Sequence, residues 1–148
     1  MISAIDMIYR ALPGMTERGF GRIVNITSIA VKQPILGLIL SNTARTGLTG
    51  FAKTVASEVA ARGITINNVL PGAVLTDRMK ELLGPDATED IKPEGDGTTA
   101  RVIRDAPMGR MGRPEEVGAL VAFLCSTRAS YITGASILAD GGAFRGLF

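Results

Sequence analysis

The chain has 148 residues, 46% of them hydrophobic and 20% charged, and its 16 Lys and Arg against 14 Asp and Glu leave a formal charge of +2. These values suit one ordinary globular domain and are too balanced for a protein that grips nucleic acid by charge. The lack of any His excludes a His-ligated metal site, a Ser-His-Asp triad and a Cys-His dyad together, because each needs an imidazole.

Residues 2–17 read as a helix, with Ile5, Ile8, Leu12 and Met15 recurring at steps of three and four. Pro13 falls inside this pattern, so a kink or an early end is expected there. Asp6 and the absence of a basic head before the apolar part argue against a signal peptide. After Gly19 and Gly21, residues 22–28 form a β-rich stretch with consecutive apolar positions at Ile23 and Val24, which predicts a short strand buried on both faces. A connection through Pro34 and Gly37 leads to a long helix over residues 40–61, with an apolar stripe of Leu40, Ala44, Leu48, Phe51, Val55 and Val59 and a stop at Gly63. Residues 64–70 are a second strand, ended by Pro71-Gly72, and residues 77–83 a short helix. Residues 84–105 are polar and irregular, a length of connection that usually means a functional lid or disorder. Arg113-Pro114-Glu115-Glu116 then opens a helix, with Pro at its first position and acids where the helix dipole favours them. Val117, Leu120, Val121 and Leu124 give it a buried stripe, and residues 136–139 make a third strand before Asp140-Gly141-Gly142.

Helices alternating with strands predict an α/β fold built on a parallel sheet. Three parallel strands are few, since such sheets normally have both faces and their neighbours covered. The chain therefore reads as part of a larger doubly wound domain. No apolar run reaches the roughly 18 residues needed to span a bilayer. The lone Cys125 excludes a disulfide framework and suits a reducing cytosol. With aromatics at 5% and no Trp, base-stacking platforms are not expected either. The expectation is a cytoplasmic location with neither membrane nor nucleic acid as a partner.

Four stretches carry a resemblance. They are Gly21-Arg22-Ile23-Val24-Asn25-Ile26-Thr27-Ser28, Gly63-Ile64-Thr65-Ile66-Asn67-Asn68-Val69-Leu70-Pro71-Gly72, Gly112-Arg113-Pro114-Glu115-Glu116-Val117, and Tyr131-Ile132-Thr133-Gly134 running on to Asp140-Gly141-Gly142. In this order and spacing the chain resembles the short-chain dehydrogenase/reductases, and in particular their 3-oxoacyl-carrier-protein reductase-like members. The resemblance covers nearly all of residues 1–148 and the C-terminal part of a full-length relative. It implies a partial Rossmann-like fold, with NAD or NADP as cofactor for hydride transfer between a small carbonyl and an alcohol. It also implies homo-oligomers, packed through the helices at residues 2–17 and 40–61.

The resemblance implies that Ser28 is the hydroxyl that positions and polarises the substrate oxygen. Read from the residues alone, Ser28 equally ends a strand and bonds local backbone. Where the family carries Tyr-x-x-x-Lys, thirteen residues after Ser28, this chain has Ser41 and Arg45, in register with the following Gly47-Leu48. Four apart, they share a helix face. A Ser hydroxyl is far less acidic than a phenol, and Arg holds its proton where Lys can relay one. Ser41 as a helix N-cap, and Arg45 as a solvated or ion-paired side chain, are the alternatives. Pro71, Gly72, Ala73, Val74 and Thr76 match the loop that holds the nicotinamide carboxamide, although Pro-Gly is also a plain turn. Residues 77–113 correspond to the variable substrate lid. The glycine-rich pyrophosphate turn and the family's active-site Asn would lie ahead of Met1 by the same register, as an internal or misplaced start would produce. Gly95-Asp96-Gly97-Thr98-Thr99-Ala100 fits G-x-G-x-x-A, but it follows no strand and is set aside as chance.

Overall fold

The computed structural model describes every residue except 85, 86, 89, 91–97 and 148. Helix α1 (Ile2–Glu17) inserts Ile8 into the core, with Leu12 and Met15 packed beside it. Pro13 neither kinks it to a stop nor shortens it. The missing N–H would have served the carbonyl of Tyr9, and both residues lie on the exposed side, where water can take the bond. Strand β1 (Gly21–Ile26) follows, then a single 3-10 turn at Ile29–Val31.

Helix α2 (Ile39–Val59) buries Leu48, Ala52, Val55, Ala56 and Val59, one stripe at helical spacing. Its exit is a 3-10 turn closed by Gly63 at φ 73°, a left-handed position glycine occupies without steric cost. Strand β2 (Ile64–Pro71) is buried from Ile64 to Leu70 because it is the middle strand. Short helices α3 (Asp77–Leu83) and α4 (Thr98–Arg104), then α5 (Pro114–Cys125) and β3 (Ser136–Ala139), complete the order. Residues 84–105, read from sequence as irregular, thus contain α4. The stretch lacks the apolar stripe that would have announced it.

The sheet runs β1-β2-β3, all parallel, with Ile23 opposite Ile66, Asn25 opposite Asn68, and Asn68 opposite Ser136. Alternation sends Ile23, Ile64 and Ile66 into a cluster with α1 and α2, and Val24, Val69 and Ile137 into another with Leu120, Val121 and Leu124 of α5. Helices therefore cover both faces, the doubly wound arrangement expected of an α/β chain. Strand β1, read as buried on both faces, is only half-buried, and its Ile26 is 55% exposed. Among the described residues it pairs on one side alone, so half of its backbone groups have no strand to meet.

Two buried Asn on β2 are satisfied. Asn67 donates to the Ile132 carbonyl at 2.8 Å and accepts from the Ala135 N–H at 3.1 Å, tying the approach to β3. Asn68 accepts from the Asn25 amide at 3.1 Å and donates to the Ser136 hydroxyl at 3.4 Å, a polar rung across all three strands. Losing such partners leaves a buried polar group unpaired, at about 1–3 kcal/mol each. No helix among the described residues is long and apolar enough to cross a membrane.

Candidate functional site

The carboxyl ends of the three strands open onto one side, the place where ligands sit in open α/β sheets. At the end of β1, Ser28 is half-buried and extended, and its Oγ accepts a hydrogen bond from the Ala30 N–H at 3.1 Å. This is the local backbone contact weighed as an alternative, and it uses only an acceptor site. A hydroxyl also has one proton to donate.

Arg45 joins the other two candidates to that strand end. Its Nε donates to the Thr27 carbonyl at 3.0 Å, and an Nη donates to the Ser41 hydroxyl. Ser41 and Arg45 are both half-buried. Ser41 is not the helix N-cap: α2 begins at Ile39 behind Leu38, which offers no side-chain cap, so Ser41 sits within the first turn. Arg45 is not free in solvent, and among the described residues it has no ion-pair partner: it bonds two neutral oxygens. Arg45 thus ties Ser41 to the end of β1, one residue before Ser28, at the corner where α2 meets β1. Sequence reasoning missed Thr27, whose carbonyl is the anchor; a backbone acceptor leaves no trace in residue type.

The residues after β2 form a different structure from a plain turn. Pro71 is paired with Ala139, and the Gly72 N–H donates to the Ala139 carbonyl at 3.1 Å, so Pro71-Gly72 prolongs the ladder instead of ending it. A Cβ on Gly72 would come within 2.9 Å of the Asp140 Cα, so close packing of the loop after β3 requires glycine here. Asp140 in turn accepts from the N–H groups of Gly142 and Phe144, at 3.0 and 2.8 Å. Val74 bridges to Gly112 through its neighbours: the Leu75 N–H donates to the Gly112 carbonyl, and the Gly112 N–H to the Ala73 carbonyl, both at 2.9 Å. In a parallel bridge of this kind the N–H of Val74 itself points away from Gly112. That N–H is therefore not spent on the bridge. Thr76 is exposed, and its hydroxyl accepts from the Met79 N–H at 3.4 Å, capping α3. Of the chance glycine motif at 95–100, residues 95–97 lie outside the described residues, and residues 98–100 open α4.

Arg110 and Glu116 form a bidentate pair at 2.9 and 2.7 Å beside a crevice of about 490 Å³ between Ala73 and the Asp140-Gly141-Gly142 loop. Glu116 also accepts from the Arg113 N–H at 2.8 Å, closing the first turn of α5. The Arg110 guanidinium, and next the Arg113 N–H, lower the Glu116 carboxyl from 4.5 to about 2. A carboxylate held low stabilises the fold at pH values above its unfolded pKa, and that contribution fades as pH falls toward the folded value. Comparing unfolding midpoints of the chain and Glu116→Gln should show the variant less stable above about pH 4.5, with the gap closing toward pH 2. A gap independent of pH would mean the carboxylate charge is not what holds this turn.

Residues 1–143 match the family model described as Enoyl-(Acyl carrier protein) reductase. The chain is 38% identical over 139 residues to an acetoacetyl-CoA reductase of Shinella zoogloeoides, covering 94% of this chain and 53% of the relative. It is 36% identical over 141 residues to a 3-oxoacyl-[acyl-carrier-protein] reductase of Vibrio harveyi, covering 93% and 53%. Among solved structures, the NADPH dependent reductase YwfH, involved in bacilysin biosynthesis, superimposes with a TM-score of 0.83 at 33% identity, over 99% of this chain and 56% of that one. The chain spans about half the length of the curated relatives it matches. A parallel α/β sheet, the match over residues 1–143 and identities above 30% agree: the chain belongs to the short-chain dehydrogenase/reductase family.

Proposed function

We propose that residues 1–148 are the C-terminal part of an NAD(P)-binding domain that transfers hydride to or from a small-molecule carbonyl or alcohol. The observation that carries this reading is the Arg45 bridge, which draws Ser41 to the strand end bearing Ser28. In this reading the Ser28 hydroxyl donates a hydrogen bond to the substrate oxygen and so positions and polarises it. Ser41 and Arg45 occupy the proton-donor positions in place of the family's Tyr and Lys, with Arg45 fixing the Ser41 hydroxyl. The cofactor, NAD or NADP, supplies the hydride when bound. Pro71, Gly72 and Ala73 support the turn; the Val74 backbone and the Thr76 hydroxyl hold the carboxamide, and the described residues of 77–113 border the substrate. The relatives' names suggest 3-oxoacyl thioesters as one substrate class. A reducing, cytoplasmic setting suits the exposed thiol of Cys125. Titrating NADH and NADPH against the chain, and against a fusion that restores the unmatched half of a relative, should change nucleotide fluorescence. No change with either protein would end the cofactor reading.

A second reading, an assembly subunit without turnover, draws on the surface of α1 and α2. Met7 and Tyr9 are 69% and 59% exposed, and the Tyr9 ring stands edge-on to Phe51 of α2 at 5.5 Å. Met7 and Tyr9 lie on different sides of α1, and Tyr9 with Phe51 makes an apolar patch across α1 and α2, of the kind that favours contact with another subunit. Light scattering behind size exclusion should give the mass of a dimer or larger. A well-folded, strictly monomeric chain would count against both this reading and the homo-oligomer expected of the family.

A further inference from the structure

Beside the corner formed by Ser28 and Arg45 lies a cleft of about 270 Å³. Ile29, the residue after Ser28, is part of its wall, with Pro34, Ile35 and Leu36 on one side and Ala143 on another. The Asn42 side chain donates to the Ile35 carbonyl at 2.9 Å and so fixes that wall to α2. Beyond it Leu36, Ile39 and Leu40 are 81%, 76% and 85% exposed, an apolar lip. Arg101 and Asp105 also line it. Asp105 is faced by Arg145 at 3.8 Å, while Arg101 has no hydrogen-bond or ion-pair partner among the described residues. Lys32 adds a cation nearby, 5.5 Å over the ring of Phe144, which packs against Ile29 and Ala143.

The cleft thus combines an apolar wall that starts at Ile29, next to Ser28 in the chain, with Arg101 and with an Asp105 already faced by Arg145. We propose that this cleft binds a short aliphatic carbonyl compound bearing an anionic group, carboxylate or phosphate, at the end remote from the carbonyl. The carbonyl lies toward Ser28, the chain along Ile29 and Ile35, and the anion at Arg101. The volume stands at the small end of ligand sites, roughly 300 Å³, which favours a short chain over a fused-ring substrate. The inference rests on the reading of Ser28 given above for the direction of the carbonyl. The apolar and cationic parts stand on the cleft itself.

The test is a titration of the isotope-labelled chain, followed by its backbone amide resonances, with three probes of matched length: 7-oxooctanoate, 6-oxoheptyl phosphate and neutral octan-2-one. The expected result is shifts gathered at Ile29, Ile35, Leu36 and Ala143, with at least one anionic probe bound up to about fivefold tighter than the ketone, the range of an exposed ion pair. The tighter of the two anions identifies the head group. Arg101→Gln should erase the advantage while leaving the ketone's affinity in place, and Leu36→Glu, which sets a carboxylate on the apolar lip, should make the anions the weaker ligands. Shifts elsewhere, equal affinities for all three probes, or an Arg101→Gln variant that weakens all three alike would overturn the proposal. No nucleotide and no turnover enter this measurement. Binding here without any nucleotide response would sink the reductase reading and spare the cleft, and the reverse result would sink the cleft alone.

Discussion

Replacing Ser41 by Tyr together with Arg45 by Lys is expected to raise NAD(P)H-linked carbonyl reduction by about 10²-fold or more, the usual worth of a positioned general acid. The rate is to be followed as nucleotide oxidation in a fusion of this chain to the half of the Vibrio harveyi reductase that it does not match. The physical case is short. A phenol ionises near pH 10 and a neighbouring ammonium draws that value down, whereas an aliphatic hydroxyl is too weak an acid to deliver a proton at neutral pH. A guanidinium keeps its proton and can only hold and orient. The backbone already has the needed form: positions 41 and 45 are one turn apart on α2, and the side chain at 45 reaches the Thr27 carbonyl beside Ser28. The single change Arg45→Lys keeps a cation there but loses the planar fork that spans two oxygens, so it should gain little by itself. A folded double variant with no gain would show that this corner is a mechanical joint between α2 and β1, and that the chemistry assigned to it is wrong.

Hydrogen exchange should divide β1 by alternate residues. The N–H groups of Gly21 and Thr27 donate to the β2 side, at the Gly63 and Val69 carbonyls. By the period of two, Ile23 and Asn25 face the same way, and Arg22, Val24 and Ile26 face the open edge. Exchange at Arg22, Val24 and Ile26 should therefore run at least about a hundredfold faster than along β2, whose Ile66 and Asn68 N–H groups find the Thr133 hydroxyl and the Ala135 carbonyl. Uniform strong protection along β1 in a chain of proven monomer mass would contradict the open edge. The same protection in an assembly would mean that a second strand has taken it, as exposed edges invite.

Period and punctuation made most of the elements legible. The short helix at 77–83 and the strand at 136–139 fall where the sequence puts them, because Thr76 caps one and Gly134 and Asp140 bracket the other. The reading went astray where a distant contact decides. Two apolar residues in a row at Ile23 and Val24 look the same whether a strand is central or marginal, and only the sheet order tells them apart. A cap at Ser41 stood as the alternative to a site residue, and it fails because α2 starts two residues earlier, at Ile39, a boundary that no cap residue marks. The link from Ser41 and Arg45 to the end of β1, one residue before Ser28, came from the family's spacing rather than from residue type, and the carbonyl that makes it, at Thr27, has no side-chain signature. Arg110 and Glu116 meet across six positions through a bend, which no helical or strand period encodes.

The cross-ties between the loops after β2 and β3 have one more consequence. Gly72 is pressed against Asp140, Leu75 and Ala73 are both bonded to Gly112, and Arg110 is clasped to Glu116. These links make one jaw of the mouth rigid. The segment from Pro34 to Leu38 is the more yielding side: among the described residues it is held by the Asn42 amide and the Leu38 N–H on the Ile35 carbonyl and by the Asn42 N–H on the Leu38 carbonyl, with no side-chain ion pair. Whatever enters must be admitted by the yielding side and measured against the fixed one, so accommodation to differently shaped guests falls to the segment before α2, and discrimination to the other.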